Sequence, residues 1–214
     1  TSLYYDVNVE GMRNLLAACE RASVRKIVFT STVACYGLDN PDPDENAPLA
    51  PFNDYARSKR EAEALLLAWA EKTGSAAIIV RPSVVFGEAN RGNVYNLLLQ
   101  IHRRRFPMVG DGTNRKSMAY VGNVAEFLAW VSENVHTTEI FNYADKPDLT
   151  TRELVETART LMGIGGRPVR IPYGVALSLG QAFGAILESM VDGVVLLVDA
   201  SEGPLPQTDR KSVV

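Results

Sequence analysis

Tyr55-Ala56-Arg57-Ser58-Lys59, read together with Thr30-Ser31-Thr32 upstream, is the stretch around which the chain organises itself. If Tyr55 opens a helix, Lys59 lies one turn on and on the same face. A free tyrosine has a pKa of about 10 and is a poor base at neutral pH. An ammonium held one turn away favours the phenolate and lowers that value. Tyr55 then takes a proton from an alcohol or sugar hydroxyl, or returns one to a ketone. Thr32 is expected to hydrogen-bond the same oxygen. The bare Y-x-x-x-K spacing also arises by chance in many helices, so its neighbours decide its weight.

Those neighbours occur in a definite order. Asn8-Val9-Glu10-Gly11 comes first, then Lys26-Ile27-Val28-Phe29-Thr30-Ser31-Thr32 followed by Tyr36-Gly37. Tyr55 stands 23 residues after Thr32, and Arg81-Pro82 through Phe86-Gly87 follows. In this order the chain resembles the extended short-chain dehydrogenase/reductase family, the NAD-dependent epimerase/dehydratase group acting on nucleotide sugars. The resemblance runs from about Leu3 to about Leu187.

The elements follow from periodicity. Residues 4–19 have helical spacing, and residues 24–36 read as a buried strand. Residues 38–54 form a polar loop, 55–73 a long amphipathic helix stopped by Gly74, and Ala76 to Val80 another buried strand. Further on come a helix from Val94 to about Arg104, a short strand Phe106–Val109 and a tight turn at 110–114. A strand over 115–121, a helix from Asn123 to Asn134 and a strand Phe141–Ala144 follow. Thr150 or Thr151 with Glu153 or Glu156 caps the next helix. Strands alternating with helices predict a parallel sheet.

The resemblance implies an α/β fold: a partial doubly wound, Rossmann-like sheet lacking its first strands, with a smaller C-terminal substrate lobe. It divides the chain into residues 1–105, with 120–145 contributing, for the dinucleotide and 106–188 for the substrate. The family's glycine-rich phosphate turn is not found. The nearest cluster, Gly163-Ile164-Gly165-Gly166, follows a helix and reads as a helix-ending loop. The expectation is therefore a chain without its main cofactor-binding element, an exposed sheet edge and little activity alone.

Residue by residue, the resemblance makes Thr32, Tyr55 and Lys59 catalytic. It places NAD or NADP against Asn8, Ser31, Tyr55, Lys59, Pro82 and Ser83. The nucleotide-sugar substrate falls to Thr32, Asn93 and Lys116, with Arg115 as the alternative cation for the diphosphate. Val84 stands where many relatives of this type carry an asparagine that grips the sugar nucleotide. The Arg-Pro segment also resembles the ketoreductase branch.

Composition limits the alternatives. The net charge of −3 argues against a dedicated nucleic-acid surface. No run of eighteen apolar residues marks a membrane span. Cys19 and Cys35 are the only cysteines and neither belongs to a metal-ligand cluster, so no metal and a cytoplasmic, reduced protein are expected. Cys35 reads as core. His102-Arg103-Arg104-Arg105 reads as a solvated helix end. A homodimer through the helices around 10–20 and 55–73 is one option for assembly.

The character changes near Glu188. Residues 189–208 resemble a translational GTPase fragment, and 209–214 a translated sequencing adapter, so 189–214 is expected to be a foreign tail. Two function classes stand. One is a nicotinamide-dependent epimerase or reductase of nucleotide sugars. The other is a dinucleotide-sensing or scaffold relative without chemistry; the joint presence of Thr32, Tyr55 and Lys59 favours the enzyme.

Overall fold

The computed structural model describes residues 2–38 and 43–178. The tail from 189 onward lies outside them. The described residues form two compact units, one of 2–87 with Ser117–Lys146 and one of Glu88–Lys116 with 147–178.

The first unit opens with α1 (Ser2–Tyr5), a π-helical turn (Asp6–Glu10) and α2 (Gly11–Arg21). Strand β1 (Lys26–Thr30) leads through Ser31-Thr32 into a 3₁₀ turn (Val33–Tyr36). The expected strand over 24–36 therefore ends at Thr30. Thr32 is the reason: its side chain accepts a hydrogen bond from Ala34 N–H and caps the turn. Helix α3 (Asp54–Thr73) is capped by Asn53, whose Oδ1 accepts from Ala56 N–H at 2.8 Å, and ends at Gly74 with φ +65°. Strands β2 (Ala76–Pro82) and β3 (Val84–Phe86) follow.

Strands β1, β2 and β7 (Glu139–Tyr143) form a parallel sheet with β2 in the centre. The seven residues of β2 are all buried, as a central parallel strand covered on both faces requires. Its alternation splits the core. Ala77 and Ile79 face Met12, Leu16 and Cys19 of α2 and Ala62, Leu66, Trp69 and Ala70 of α3. Ile78 and Val80 face Phe127 and Val131 of α5 (Val121–Asn134), together with Phe141. Each buried Leu, Ile, Val, Met or Phe among them contributes about 1.5–3 kcal/mol. The first of these faces holds α3, the helix that carries Tyr55 and Lys59, against β2.

The second unit is built on α4 (Asn93–His102) and α6 (Thr151–Leu161). Ile101 of α4 meets Val155 and Ala158 of α6 and Met108 in one core. Residues 88–105 fall in this compact unit, where the apolar face of α4 packs on α6. Strand β4 (Met108–Val109) pairs with β9 (Arg170–Ile171), and β5 (Arg115–Lys116) pairs antiparallel with β8 (Leu149–Thr150). The single strand expected over 115–121 is in fact two. It breaks at Ser117, after which β6 (Met118–Tyr120) pairs with β3 in the first unit. Thr150 and Glu153 form the expected capping box at the start of α6.

Candidate functional site

Strands β1 and β2 run parallel with Thr30 opposite Val80, so Ser31-Thr32 and Ser83 leave the sheet at the same, C-terminal end. Open parallel sheets bind ligands there. Helix α3 starts beside this end. Lys59 Nζ donates to Thr30 O at 3.1 Å and stands 4.8 Å from the centre of the Phe29 ring. Tyr55 lies one turn earlier, in the first turn of α3, with 36% of its surface exposed. Tyr55, Lys59 and the Thr30-Ser31-Thr32 segment are therefore gathered at one place.

Other residues hold this arrangement. Asn8, in the π-helical turn, donates through Nδ2 to Ser58 Oγ at 2.9 Å, and Ser58 Oγ donates to Tyr55 O at 2.8 Å. Asn8 thus reaches the site through the first turn of α3. Ser31 is buried, and its N–H donates to Val80 O at 2.7 Å, locking β1 to β2 just before Thr32. Pro82 is the last residue of β2 and is buried opposite Tyr143. Ser83 N–H donates to Tyr143 O at 2.9 Å, while its buried hydroxyl has no partner among the described residues.

Asn93 and Lys116 sit in the second unit. Asn93 is the exposed first residue of α4, and Lys116 is exposed in β5. The alternative cation, Arg115, donates through Nη1 to Asp148 O at 2.6 Å, so part of its guanidinium fork is taken up inside that unit.

The electrostatics correct one expectation. Lys59 does not pull the Tyr55 hydroxyl down. Burial pushes it above the usual tyrosine value, with the Cys35 thiol and the Tyr4 phenol adding to the rise. The ammonium of Lys59 is turned to Thr30 O and the Phe29 ring. Burial in turn lowers Lys59, against which Cys35 and Glu63 favour its charged form. Cys35 itself is fully buried and pushed up to about 11, chiefly by burial, in keeping with its reading as core.

The sequence reading passed over two features. Tyr4 packs edge-on against Tyr55, with ring centres 5.7 Å apart. Behind the site, Arg81, Glu63, Tyr36 and Asn142 form a buried polar group. Arg81 was the available signal for it. It is the one charge in the buried run Ala76–Pro82, and a buried charge demands a partner.

Among the described residues no helix is long and apolar enough to cross a membrane. Comparison with known proteins gives the family. Residues 1–144 match the NAD dependent epimerase/dehydratase family. The chain is 50% identical over 186 residues to the N-acetyl-alpha-D-glucosaminyl-diphospho-ditrans,octacis-undecaprenol 4-epimerase of Escherichia coli O157:H7, covering 86% of this chain and 56% of that protein. It is also similar to a dTDP-glucose 4,6-dehydratase from Bacillus anthracis, solved with NAD. There the TM-score is 0.65 at 26% identity, over 78% of this chain and 56% of the other. A UDP-glucuronic acid 4-epimerase from Bacillus cereus shares the fold with a TM-score of 0.68 at 19% identity, over 77% of this chain and 56% of that one. The chain spans about half the length of the curated relatives it matches. Fold, motif order and the match over residues 1–144 agree: the chain belongs to the NAD dependent epimerase/dehydratase family.

Proposed function

We propose that this chain carries the proton-transfer centre of a 4-epimerase acting on an N-acetylated hexose joined to its carrier through a diphosphate. What supports the reading is the placement of Tyr55 and Lys59 one turn apart on α3, with Lys59 Nζ 3.1 Å from Thr30 O at the C-terminal end of β1, two residues before Thr32. The name of the Escherichia coli relative, at 50% identity, supports this substrate class. Tyr55 exchanges the proton of the C4 oxygen. Thr32 Oγ1 accepts from Ala34 N–H, which leaves its own proton to donate to that same oxygen. In this reading Lys59, whose ammonium is held at Thr30 O in the free chain, turns to the phenolate as that charge develops.

The residues present fit the nicotinamide–ribose end of NAD. Lys59 stands at the end of β1, and the orphaned buried hydroxyl of Ser83 follows the end of β2. Tyr55, Lys59, Ser31, Pro82 and Ser83 would line it, with Asn8 behind them. When bound, the nicotinamide supplies the acceptor and donor of a hydride. In this reading the first unit serves the dinucleotide and the second, through Asn93 and Lys116, the substrate diphosphate. The working compartment is the cytoplasm, and the assembly is a homodimer through α2 and α3. The exposed Leu15 of α2 supports that assembly.

A second reading, the reduction of a keto group with Tyr55 as the proton donor, is supported by the name of a ketoreductase of Stigmatella aurantiaca, 28% identical over 177 residues.

The test joins this chain to the part of the Escherichia coli relative that it does not cover. The fusion is then offered a UDP-linked and a polyprenyl-diphosphate-linked N-acetylglucosamine. Interconversion with the 4-epimer on either carrier supports the reading and names the carrier. Reduction of a 4-keto sugar without epimerisation favours the second reading. Neither reaction, in a folded fusion that binds NAD, refutes both.

A further inference from the structure

A buried ion pair sits two turns along α3 from Tyr55. Glu63 and Arg81 are 1% and 2% exposed. Arg81 grips the carboxylate with a two-pronged fork, Nε to Oε1 at 2.9 Å and Nη2 to Oε2 at 2.6 Å. Its third prong, Nη1, donates to Tyr36 OH at 2.6 Å, and that hydroxyl donates to Asn142 Oδ1 at 2.8 Å. Asn142 holds the loop leading to α3: its Nδ2 donates to Pro43 O at 3.2 Å and its N–H to Glu45 Oε1 at 3.0 Å.

Stability alone is a poor reason for such a group. Replacing a buried pair by apolar residues of similar volume is often neutral or stabilising. Its placement is more telling. Tyr55, Lys59 and Glu63 recur at intervals of four along one stripe of α3. A planar fork from β2 onto Glu63 fixes the rotation and the axial register of that stripe, as a single bond would not. Lys59 is then held against Thr30 O at the end of β1.

We propose that Glu63 and Arg81 are positioning residues for the Tyr55–Lys59 pair, their fork setting where the Lys59 ammonium stands. The proposal rests on the reading of Tyr55 and Lys59 as the proton-transfer centre, but not on turnover. The groups acting on Lys59 are few: Glu63 on its own helix, Cys35 from the 3₁₀ turn, and Thr30 O and the Phe29 ring from β1. Glu63 and Cys35 favour the ammonium and burial opposes it.

The test is a pH titration of the Lys59 side chain in the full 214-residue protein, followed by NMR on ¹³C-labelled lysine and assigned with Lys59→Arg. The double variant Glu63→Met/Arg81→Met removes the fork without leaving a lone buried charge. Its melting temperature should stay near that of the parent, while the Lys59 midpoint falls by half a pH unit or more. A folded double variant whose Lys59 titration superimposes on the parent curve overturns the proposal and leaves the fork a packing device. If the double variant does not fold, Arg81→Lys decides. It keeps both charges but loses the planar two-pronged fork on Glu63, and should move the Lys59 midpoint the same way by less. An unmoved midpoint there overturns the proposal equally. Because the titration reads no turnover, either result stands apart from the outcome of the epimerase test.

Discussion

Replacing Gly37 by alanine should loosen the loop that delivers Tyr55, and the effect can be worked from the backbone. Gly37 has φ +86° and ψ −163°, a conformation open essentially to glycine alone. Forcing an L-residue there costs of order 1–3 kcal/mol. A Cβ at this position would also fall inside contact distance of the Ala50 carbonyl oxygen, with the carbonyl carbon and Cβ of Ala50 at 3.3 Å. Ala50 cannot simply retreat. Its loop is tied by Asn142 at Pro43 and by the cap at Asn53. Overpacking of this kind adds about 1–3 kcal/mol. The sum is about 2–6 kcal/mol, and at about 2–4 °C per kcal/mol for a chain of this size the melting temperature should drop by at least about 4 °C. Gly74→Ala is the control. Gly74 has φ +65° with nothing within 4 Å of a built Cβ, so only the backbone term of about 1–2 kcal/mol applies. Melting of the two variants by circular dichroism separates the terms. If Gly37→Ala is no more damaging than Gly74→Ala, the loop is not held against Gly37 as described.

The remaining expectations are more local. The Tyr55 hydroxyl is raised by burial, so the phenolate absorbance lost in Tyr55→Phe should have a midpoint above the ordinary value of about 10; a midpoint below it would show that Lys59 does control this phenol in the free chain. Cys35, pushed up to about 11 and fully buried, should resist a thiol reagent at pH 8 unless the chain is unfolded; rapid labelling of Cys35 in the folded chain would contradict its placement. Thr150→Ala removes the capping box of α6 and should cost about 1 kcal/mol, read by urea unfolding; no change would mean the cap is idle. Arg81→Met alone strands Glu63 and should cost about 3–5 kcal/mol, against near neutrality for the double variant; equal losses would show that no unpaired charge is being created.

Much of the first unit is legible in the sequence because its signals are local. Gly74 and the apolar stripe of α3 mark a helix by its stop and its periodicity, and the run Ala76 to Val80 marks a buried strand, whereas the cap at Asn53 shows only in the structure. The misread elements are those whose limits are set by distant partners. Residues 24–36 look like one strand by composition, but Thr32 finds a cap in Ala34 N–H and bends the chain. Residues 115–121 look like another, yet Arg115-Lys116 and Met118–Tyr120 pair with different strands, β8 and β3. At the site, the spacing of Tyr55 and Lys59 is visible in sequence, whereas the direction of the lysine is not. Thr30 O and the Phe29 ring, both brought in by tertiary packing, take the ammonium that spacing alone assigned to the phenol.

The most direct test of the central claim is the turnover of Tyr55→Phe in the fusion with the Escherichia coli relative. It should be measured as 4-epimerisation of the preferred diphosphate-linked sugar, alongside binding of that sugar. Loss of a general acid/base should lower turnover by roughly a hundredfold or more, with sugar binding nearly unchanged. Near-native turnover in the variant would contradict the assignment of Tyr55 and the account built on it.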